Sequence, residues 1–285
     1  MFSNLLAVFF ALASALTVAW GTVIRHRIAL EASSSVMRTA MGNPLWWVGT
    51  LGAVVAYCLQ IIALGFGTLL VVQPILVLSL MFTLPLSAWY SKRALSFHET
   101  FWCAALTIAV GVLVVYGRPT AGNPRPSLNE WWPPLVCGAA GLALLGLFAW
   151  RYRARRALAL GTACGALYGY VALLSKSVVD IFTNDGLWQL AQSWQLYGLV
   201  FLAGTGTVLQ QYSFHAGPLA QSLPAMTIME PIIAFSLGYV VLGEEFQVDS
   251  ITGWSVMAAA LAVMILATIV LSRRPVGRAQ VQADN

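Results

Sequence analysis

Charged side chains are scarce in this 285-residue sequence, in which Asp, Glu, Lys and Arg together make up 9% and apolar residues 59%. Soluble domains carry about a quarter charged and about half apolar residues. The scarcity therefore excludes an ordinary soluble globule. No polar stretch between the apolar runs is long enough to form a separate domain, so we expect a single membrane domain.

The sequence also lacks the side chains of a metal centre or an enzyme active site. The four cysteines lie in apolar runs without a close pair, and the three histidines have no companion at metal-ligand spacing. An enzyme needs nucleophilic or acid–base groups gathered at one membrane face, and the longest polar loops, 118–131 and 179–194, hold few charges. We therefore expect no enzymatic activity, no cofactor and no certain metal site.

Apolar runs that are long enough to cross a bilayer occupy most of the chain. A span needs about 20 apolar residues, with about 17 tolerated. The first run has no Lys or Arg ahead of it, unlike a cleaved secretory signal, and we expect it to be the first span. Residues 25–44 are expected to be a connection and not a tenth helix. We predict an all-α membrane protein with nine helices at 4–24, 45–66, 68–90, 101–117, 133–150, 157–178, 195–216, 218–242 and 251–272.

Basic residues occur in short clusters between the apolar runs, and these clusters account for the net charge of +5. Lys and Arg in such places mark the cytoplasmic side of a membrane, so they do not indicate a nucleic-acid partner. With the N-terminus outside, every basic residue except Arg118, Arg125 and Lys176 is cytoplasmic. We predict a multi-pass plasma-membrane protein with an outside N-terminus and a cytoplasmic, disordered tail at 273–285.

Two parts of the sequence resemble each other at an offset of 150 residues. LQIIALGFGTLLVVQP (59–74) aligns without a gap with LQQYSFHAGPLAQSLP (209–224), with five identities. The connection SKRALS is basic, whereas the connection of the second copy that contains LGEEFQ is acidic, as expected for copies of opposite orientation. We predict repeat one over residues 4–117, repeat two over residues 157–272, and a connecting helix at 133–150 that inverts the second copy.

A family resemblance accompanies these patterns. The stretch NPLWWVGTLGAVVAYCLQIIALGFGTLLVVQPILVLSLMFTLPLSAWYSKRALS, followed by AVGVLVVYGRP, resembles the first half of the NIPA-like branch of the drug/metabolite transporter superfamily, which also contains EamA-like proteins. LQQYSFHAGPLAQSLPAMTIMEPIIAFSLGYVVLGEEF is similar to the superfamily's repeat, with its proline and closing Leu-Gly-Glu. The first copy has SKR where the superfamily often has Gly-Glu. The resemblance implies nine or ten helices and a cargo of metabolites, drugs, lipid-linked head groups or magnesium.

Glu230 is the leading candidate for a functional residue, because it lies about twelve residues into a predicted helix, close to the membrane midplane. A bare carboxylate at that depth costs a few kcal/mol, so it normally faces a cavity, stays protonated or has a partner. We interpret Glu230 as a proton-coupling or cation-binding group, and a neutral structural acid is the alternative. Met226 and Thr227 share its helix face.

Prolines occur in the same helix and in its counterpart. Pro224 and Pro231 each remove one helical N–H, and Gln73 and Pro74 stand in the matching helix of the first copy. The carbonyls that lose their partners are available to a bound solute, although a simple packing kink explains the prolines equally well.

Polar side chains also occur in the second helix of each copy, where they suit either a polar substrate or helix–helix contacts. They are Gln60, Gln210, Gln211 and Tyr212. Lys176 lies near the predicted end of its helix, so we expect it to extend to the membrane interface. Pairing with Glu230 or Asp180 is the alternative.

Together these features predict a secondary transporter that moves a small polar metabolite or a cation by alternating access between two halves. A flippase for a lipid-linked or amphiphilic substrate, a magnesium transporter of the NIPA type, and a channel remain as alternatives. If magnesium is carried, Glu230, Thr227, Gln73 and the freed carbonyls are its expected oxygen ligands. The expected partners are the lipid bilayer and the substrate, and a homodimer is one expected assembly.

Overall fold

A computed structural model describes residues 2–31, 44–90, 92, 94–216 and 219–272. Within these ranges the chain is almost entirely helical. The α-helices are α1 (Phe2–Glu31), α2 (Pro44–Phe66), α3 (Leu69–Val77), α4 (Ser79–Tyr90), α5 (Phe97–Gly111), α6 (Leu128–Arg151), α7 (Arg156–Gln192), α8 (Trp194–His215), α9 (Leu219–Val240) and α10 (Ile251–Ser272). A π-helical segment, Val112–Tyr116, continues α5, and two short strands are β1 (Pro119–Thr120) and β2 (Glu245–Phe246).

The chain is an all-α membrane protein. Among the described residues, 7 helical segments are long and apolar enough to cross a membrane: α1, the α3–α4 pair, α5 with its π segment, α6, α7, α9 and α10. Helix α2 contributes a shorter apolar stretch, Leu51–Phe66. Helix α8 is long enough, at 22 residues, but it is not among the seven. The nine predicted spans therefore remain a prediction.

The helix boundaries agree with the prediction at α10 and differ most at α7. The predicted helix ended at residue 178, whereas α7 runs to Gln192 and turns at Gly186, where φ is 81°. At the other end of the chain, α1 continues to Glu31, beyond the predicted boundary. Residues 32–43 and the tail 273–285 lie outside the described residues. The predictions that 25–44 is a connection without a tenth helix and that the tail is disordered fall largely on these residues.

The prolines of the α3–α4 pair and those of α9 have different effects. Helices α3 and α4 are separated by one residue, Leu78, which lies between Pro74 and Pro85. Helix α9 contains Pro224 and Pro231 and is nevertheless continuous. Of these two, the α3–α4 pair is therefore interrupted and α9 is not.

Small residues let α1 and α2 approach each other closely. Alanines that recur every four residues along α1 are fully buried: Ala7, Ala11, Ala15 and Ala19. The hydroxyl of Ser14 donates to the carbonyl of Ala56 on α2 at 2.7 Å. Close backbone approach increases van der Waals contact and is a common basis of helix association in membranes.

Glycines do the same between α7 and α9. Gly161, Gly165 and Gly169 recur every four residues along α7 and face the backbone of α9. A Cβ atom at Gly165 would lie 2.5 Å from the carbonyl oxygen of Met226, and one at Gly169 would lie 3.0 Å from the carbonyl oxygen of Glu230. This stripe fixes α9, and hence Glu230, against α7.

The two strands join the connection after α5 to the connection after α9. Pro119 pairs with Phe246 and Thr120 with Glu245 in an antiparallel ribbon. The N-H of Asn123 donates to the carbonyl of Leu242 at 2.6 Å, which extends the contact. We call this end of the helix bundle, which also holds the turn between α2 and α3, the ribbon end.

Candidate functional site

Glu230 lies in the middle of α9, on the side that packs against α7. Its side chain is half-buried. The carboxyl group is close enough to Tyr57, Cys164 and Tyr168 to interact with them electrostatically. Within the described ranges, the carboxyl group has no hydrogen-bond or ion-pair partner. Among the described residues, the Glu230 carboxyl is therefore a polar group that remains able to accept hydrogen bonds or to bind a cation.

Hydroxyl and amide groups from three other helices lie around this carboxyl group. The Tyr57 hydroxyl on α2 is 3.0 Å from the Ser175 hydroxyl on α7. The Tyr168 hydroxyl on α7 makes a long hydrogen bond of 3.5 Å to Oε1 of Gln210 on α8. We call Tyr57, Tyr168, Ser175, Gln210 and Glu230 the Glu230 cluster. It gathers one acid, two phenols, a hydroxyl and an amide, a set suited to hydrogen-bond a polar solute.

Among the other predicted site residues, Met226 contacts this cluster, and Thr227 and Gln60 lie one helical turn from cluster members. Met226 is 6% exposed, and its sulfur accepts a 3.4 Å hydrogen bond from Nε2 of Gln210. Thr227 is half-buried, and its hydroxyl donates to the carbonyl of Leu223 at 2.9 Å. Gln60 is half-buried one helical turn after Tyr57.

Other predicted residues are exposed away from the cluster or buried within their helices. Tyr212 is 62% exposed, and Gln211 beside it is also exposed on α8. Pro74, Pro224 and Pro231 are buried within their helices. The amides and the phenol of α8 therefore divide, with Gln210 facing the cluster and its two neighbours facing outward.

Gln73 on α3 is one of the most enclosed polar side chains in the described residues, at 2% exposed. Its Nε2 atom is buried and has no hydrogen-bond partner among those residues. An unpaired buried donor costs about 1–3 kcal/mol. The Gln73 amide can therefore donate a hydrogen bond to an acceptor on a solute or to a water molecule.

Tyr57 and Tyr168 were missed by the sequence reasoning. Tyrosine in an apolar run usually anchors a helix at the membrane interface, so a tyrosine whose phenol faces the helix bundle is easily overlooked. The position of each tyrosine in the sequence could have indicated its role. Tyr57 lies on the same face of its helix as Gln60, and Tyr168 lies next to Gly169 in the glycine stripe.

Lys176 does not extend to a helix end as expected, because α7 continues well beyond it. Its ammonium group instead donates to the carbonyl oxygens of Leu64 and Gly67, each at 2.6 Å. The alternative pairing with Asp180 is also absent from the described ion pairs, since Asp180 pairs with Arg125. Lys176 therefore binds the C-terminal end of α2.

Glu244 binds the adjacent start of α3. It is 1% exposed, and its two carboxyl oxygens accept hydrogen bonds from the N–H groups of Leu69 at 2.9 Å and Leu70 at 3.0 Å. Gly243 precedes it with φ of 65°, a left-handed conformation that favours glycine after a helix. The Leu-Gly-Glu sequence thus ends α9 and directs the glutamate at α3.

A cavity of about 490 Å³ opens at the ribbon end above these contacts, and its lining includes Ser3, Thr68, Thr120, Lys176 and Glu244. Arg125 lies beside it and donates to Asp180 and Asp185. The hydrogen bond to Asp180, with a smaller contribution from Asp185, raises the pKa of the Arg125 guanidinium. The cavity therefore has a polar, ion-paired wall.

Burial raises the pKa of the Glu244 carboxyl above its ordinary value of 4.5, against the opposing effects of the two N–H groups and Lys176. Because the folded state then binds the proton more tightly than the unfolded state, stability should fall as pH rises from 4.5 through the folded pKa. We expect thermal unfolding in detergent to show this slope in the wild type and to lose it in Glu244→Gln. Equal slopes in both proteins would contradict the assignment, and the exposed neighbour provides the control variant Glu245→Gln.

A protein of Corynebacterium glutamicum, named only as uncharacterized, is 56% identical to this chain over 280 residues, which cover 96% of each chain. No protein-family model matches the sequence, and no solved structure is similar to it. The similarity to the C. glutamicum protein extends over essentially the whole membrane domain.

Proposed function

We propose that this chain, which belongs to the same family as the Corynebacterium glutamicum protein, is a secondary transporter that moves a small polar solute by alternating access. One observation carries the proposal: the Glu230 carboxyl lies in the middle of α9 without a partner among the described residues, with two phenols and an amide nearby. A carboxyl group at membrane depth is costly, and it is usually retained on a substrate or proton path.

The packing of the helices supports two inverted copies. Helix α1 packs against α2 and against the α3–α4 pair, and α7 packs correspondingly against α8 and α9. Between the two sets, α3 contacts α9 and α5 contacts α10. We therefore propose nine spans, with α2 and α8 among them, α6 as the connecting helix, and membership of the drug/metabolite transporter superfamily.

The distribution of charge supports an orientation. The ribbon end carries the exposed residues Glu245 and Asp249. A cluster of exposed arginines lies between α6 and α7, at 151–156. Since basic residues favour the cytoplasmic side, we propose that the ribbon end faces outward and that the chain resides in the plasma membrane.

The groups near Glu230 favour a polar organic solute over a bare divalent cation. Magnesium takes six oxygens or waters in octahedral geometry and is usually held by carboxylates and phosphates. The described residues contain no group of three or more His, Cys, Asp and Glu side chains that could hold a metal. Phenol, hydroxyl and amide groups instead suit a solute with its own donors and acceptors, and the proposal includes no catalytic step.

The test is solute-driven proton flux in proteoliposomes that contain the purified chain and a trapped pH dye. Amino acids, polyamines, sugars and magnesium are added in turn, and magnesium uptake is also followed with a trapped magnesium dye. Saturable flux with counterflow for one solute class would support the proposal. Flux that neither saturates nor shows counterflow would indicate a channel and overturn it.

A further inference from the structure

The turn between α2 and α3 has polar groups that its own helices cannot satisfy. The last carbonyls of α2 and the first N–H groups of α3 have no partners within their helices. Thr68 supplies one bond, since its hydroxyl accepts from the N–H of Val71 at 3.2 Å. The remaining bonds come from distant parts of the chain.

The hydroxyl of Ser3 on α1 donates to the carbonyl of Phe66, and two oppositely charged side chains make further bonds to the turn. The Lys176 ammonium binds the carbonyls at the end of α2, and the Glu244 carboxylate binds the N–H groups at the start of α3. Each charge also complements the helix dipole that it meets, because a helix C-terminus favours a cation and an N-terminus favours an anion. We call Lys176, Glu244 and the α2–α3 turn the clamp.

The clamp lies between the cavity and the Glu230 cluster. A Cβ atom added at Gly238 on α9 would lie 3.2 Å from Oε2 of Glu244 and 3.3 Å from Cβ of Leu69, so α9 passes close to the clamp at this point. One helical turn deeper on the same face, Ala234 is 0% exposed, and one further turn reaches Glu230. Beside this path, the Tyr57–Ser175 contact joins α2 to α7. A solute that enters from the cavity therefore meets the clamp first.

We propose that Lys176 and Glu244 form the outer gate of the transporter, which closes when they bind the α2–α3 turn and opens when the turn is released. This inference rests on the proposed function, because the gate joins the two halves that alternating access requires to separate. The described structure then has its outer gate closed. Opening would connect the cavity of about 490 Å³ to the Glu230 cluster.

The corresponding connection of the first copy carries different side chains. At the repeat offset of 150 residues, the counterpart of Glu244 is Ala94, and the connection 91–96 contains Lys92 and Arg93 but no acid. A carboxylate that could accept N–H groups at the start of α9 is therefore missing from this connection.

Thiol accessibility tests the gate without any knowledge of the solute. The reporter is Ala234→Cys in a background where Cys58, Cys103, Cys137 and Cys164 are replaced by serine or alanine. A membrane-impermeant maleimide is added to spheroplasts, where the outer face is exposed, and to inside-out vesicles. With the clamp intact, we expect slow labelling from the outside.

Lys176→Met and Glu244→Gln are each expected to raise the outside labelling rate about tenfold or more, which corresponds to losing a hydrogen bond to a charged group. The Lys176→Arg protein should be labelled as slowly as the protein with Lys176, because arginine keeps N–H donors for the carbonyls of the α2–α3 turn. Arg125→Gln is the matched control, since it breaks two ion pairs at the same end that do not involve the α2–α3 turn. Size-exclusion profiles identify variants that fail to fold, and Glu244→Asp replaces Glu244→Gln if necessary.

Fast labelling with the clamp intact, or unchanged labelling in folded Lys176→Met and Glu244→Gln proteins, would overturn the gate. An equal increase in Arg125→Gln would also overturn it, because the effect would then be general loosening of the ribbon end. The proposed function fails separately, through absent or non-saturable flux in proteoliposomes. Labelling does not depend on that flux, so the two failures are distinguishable.

Discussion

Replacing Glu230 by glutamine is expected to lower solute-driven proton flux about a hundredfold, which corresponds to losing about 3 kcal/mol of favourable interaction. Glutamine has nearly the same size and keeps a carbonyl oxygen, but it can neither release a proton nor balance a cation. Because Glu230 has no partner among the described residues, the substitution breaks no internal bond. We therefore expect the protein to fold normally and to lose transport.

The measurement compares initial flux rates in proteoliposomes that hold equal amounts of wild-type and variant protein. Glu245→Gln is the matched control, because it makes the same chemical change at an exposed position on β2, and we expect it to transport normally. Glu230→Asp should retain partial activity, since it keeps the acid and shortens its reach. Wild-type flux in Glu230→Gln would mean that Glu230 is a neutral structural acid.

Adding a single methyl group at Gly165 is expected to destabilise the folded protein by about 1–3 kcal/mol, the usual cost of overpacking. The new Cβ atom would lie 2.5 Å from the carbonyl oxygen of Met226 and 3.0 Å from its Cα. Both are backbone atoms of α9. Unlike the end of a flexible side chain, they cannot move away by a change of rotamer. Helices α7 and α9 would have to separate, and we expect Gly165→Leu to yield no folded protein.

Thermal unfolding in detergent measures this effect, and Gly141→Ala is the matched control. Gly141 lies on α6, and a Cβ atom there would meet nothing within 4 Å. The control should be neutral or slightly stabilising, because alanine favours a helix over glycine by about 1 kcal/mol. Equal melting temperatures for Gly165→Ala and Gly141→Ala would show that the two helices do not pack closely at the stripe.

Hydropathy was sufficient to predict the helical membrane fold, and position in the sequence makes Glu230 the leading candidate residue. The span at 251–272 was predicted to the residue, because its sequence is uniformly apolar between polar ends. Glu230 was selected because a lone acid inside an apolar run has no local explanation. Both inferences depend on nothing beyond the neighbouring sequence.

The remaining features depend on contacts between distant residues. Lys176 was expected to reach the membrane interface because its helix was thought to end at 178, yet α7 continues and the ammonium binds a turn 112 and 109 residues earlier in the sequence. The inward direction of Tyr57 and Tyr168 likewise depends on which helices lie beside them. Periodicity within one helix does not contain that information.

The clamp also bears on how the chain is made. The α2–α3 turn is synthesised early, but Lys176 follows Leu64 by 112 residues and Glu244 follows Leu69 by 175. While the ribosome is still translating the second half, the inserted hairpin has end groups that only the missing half can satisfy. The two proposed repeats thus differ in biosynthesis, because the contacts of the first are completed only after the second is made. A chain cut between them should leave an N-terminal fragment that membrane proteases recognise as incomplete.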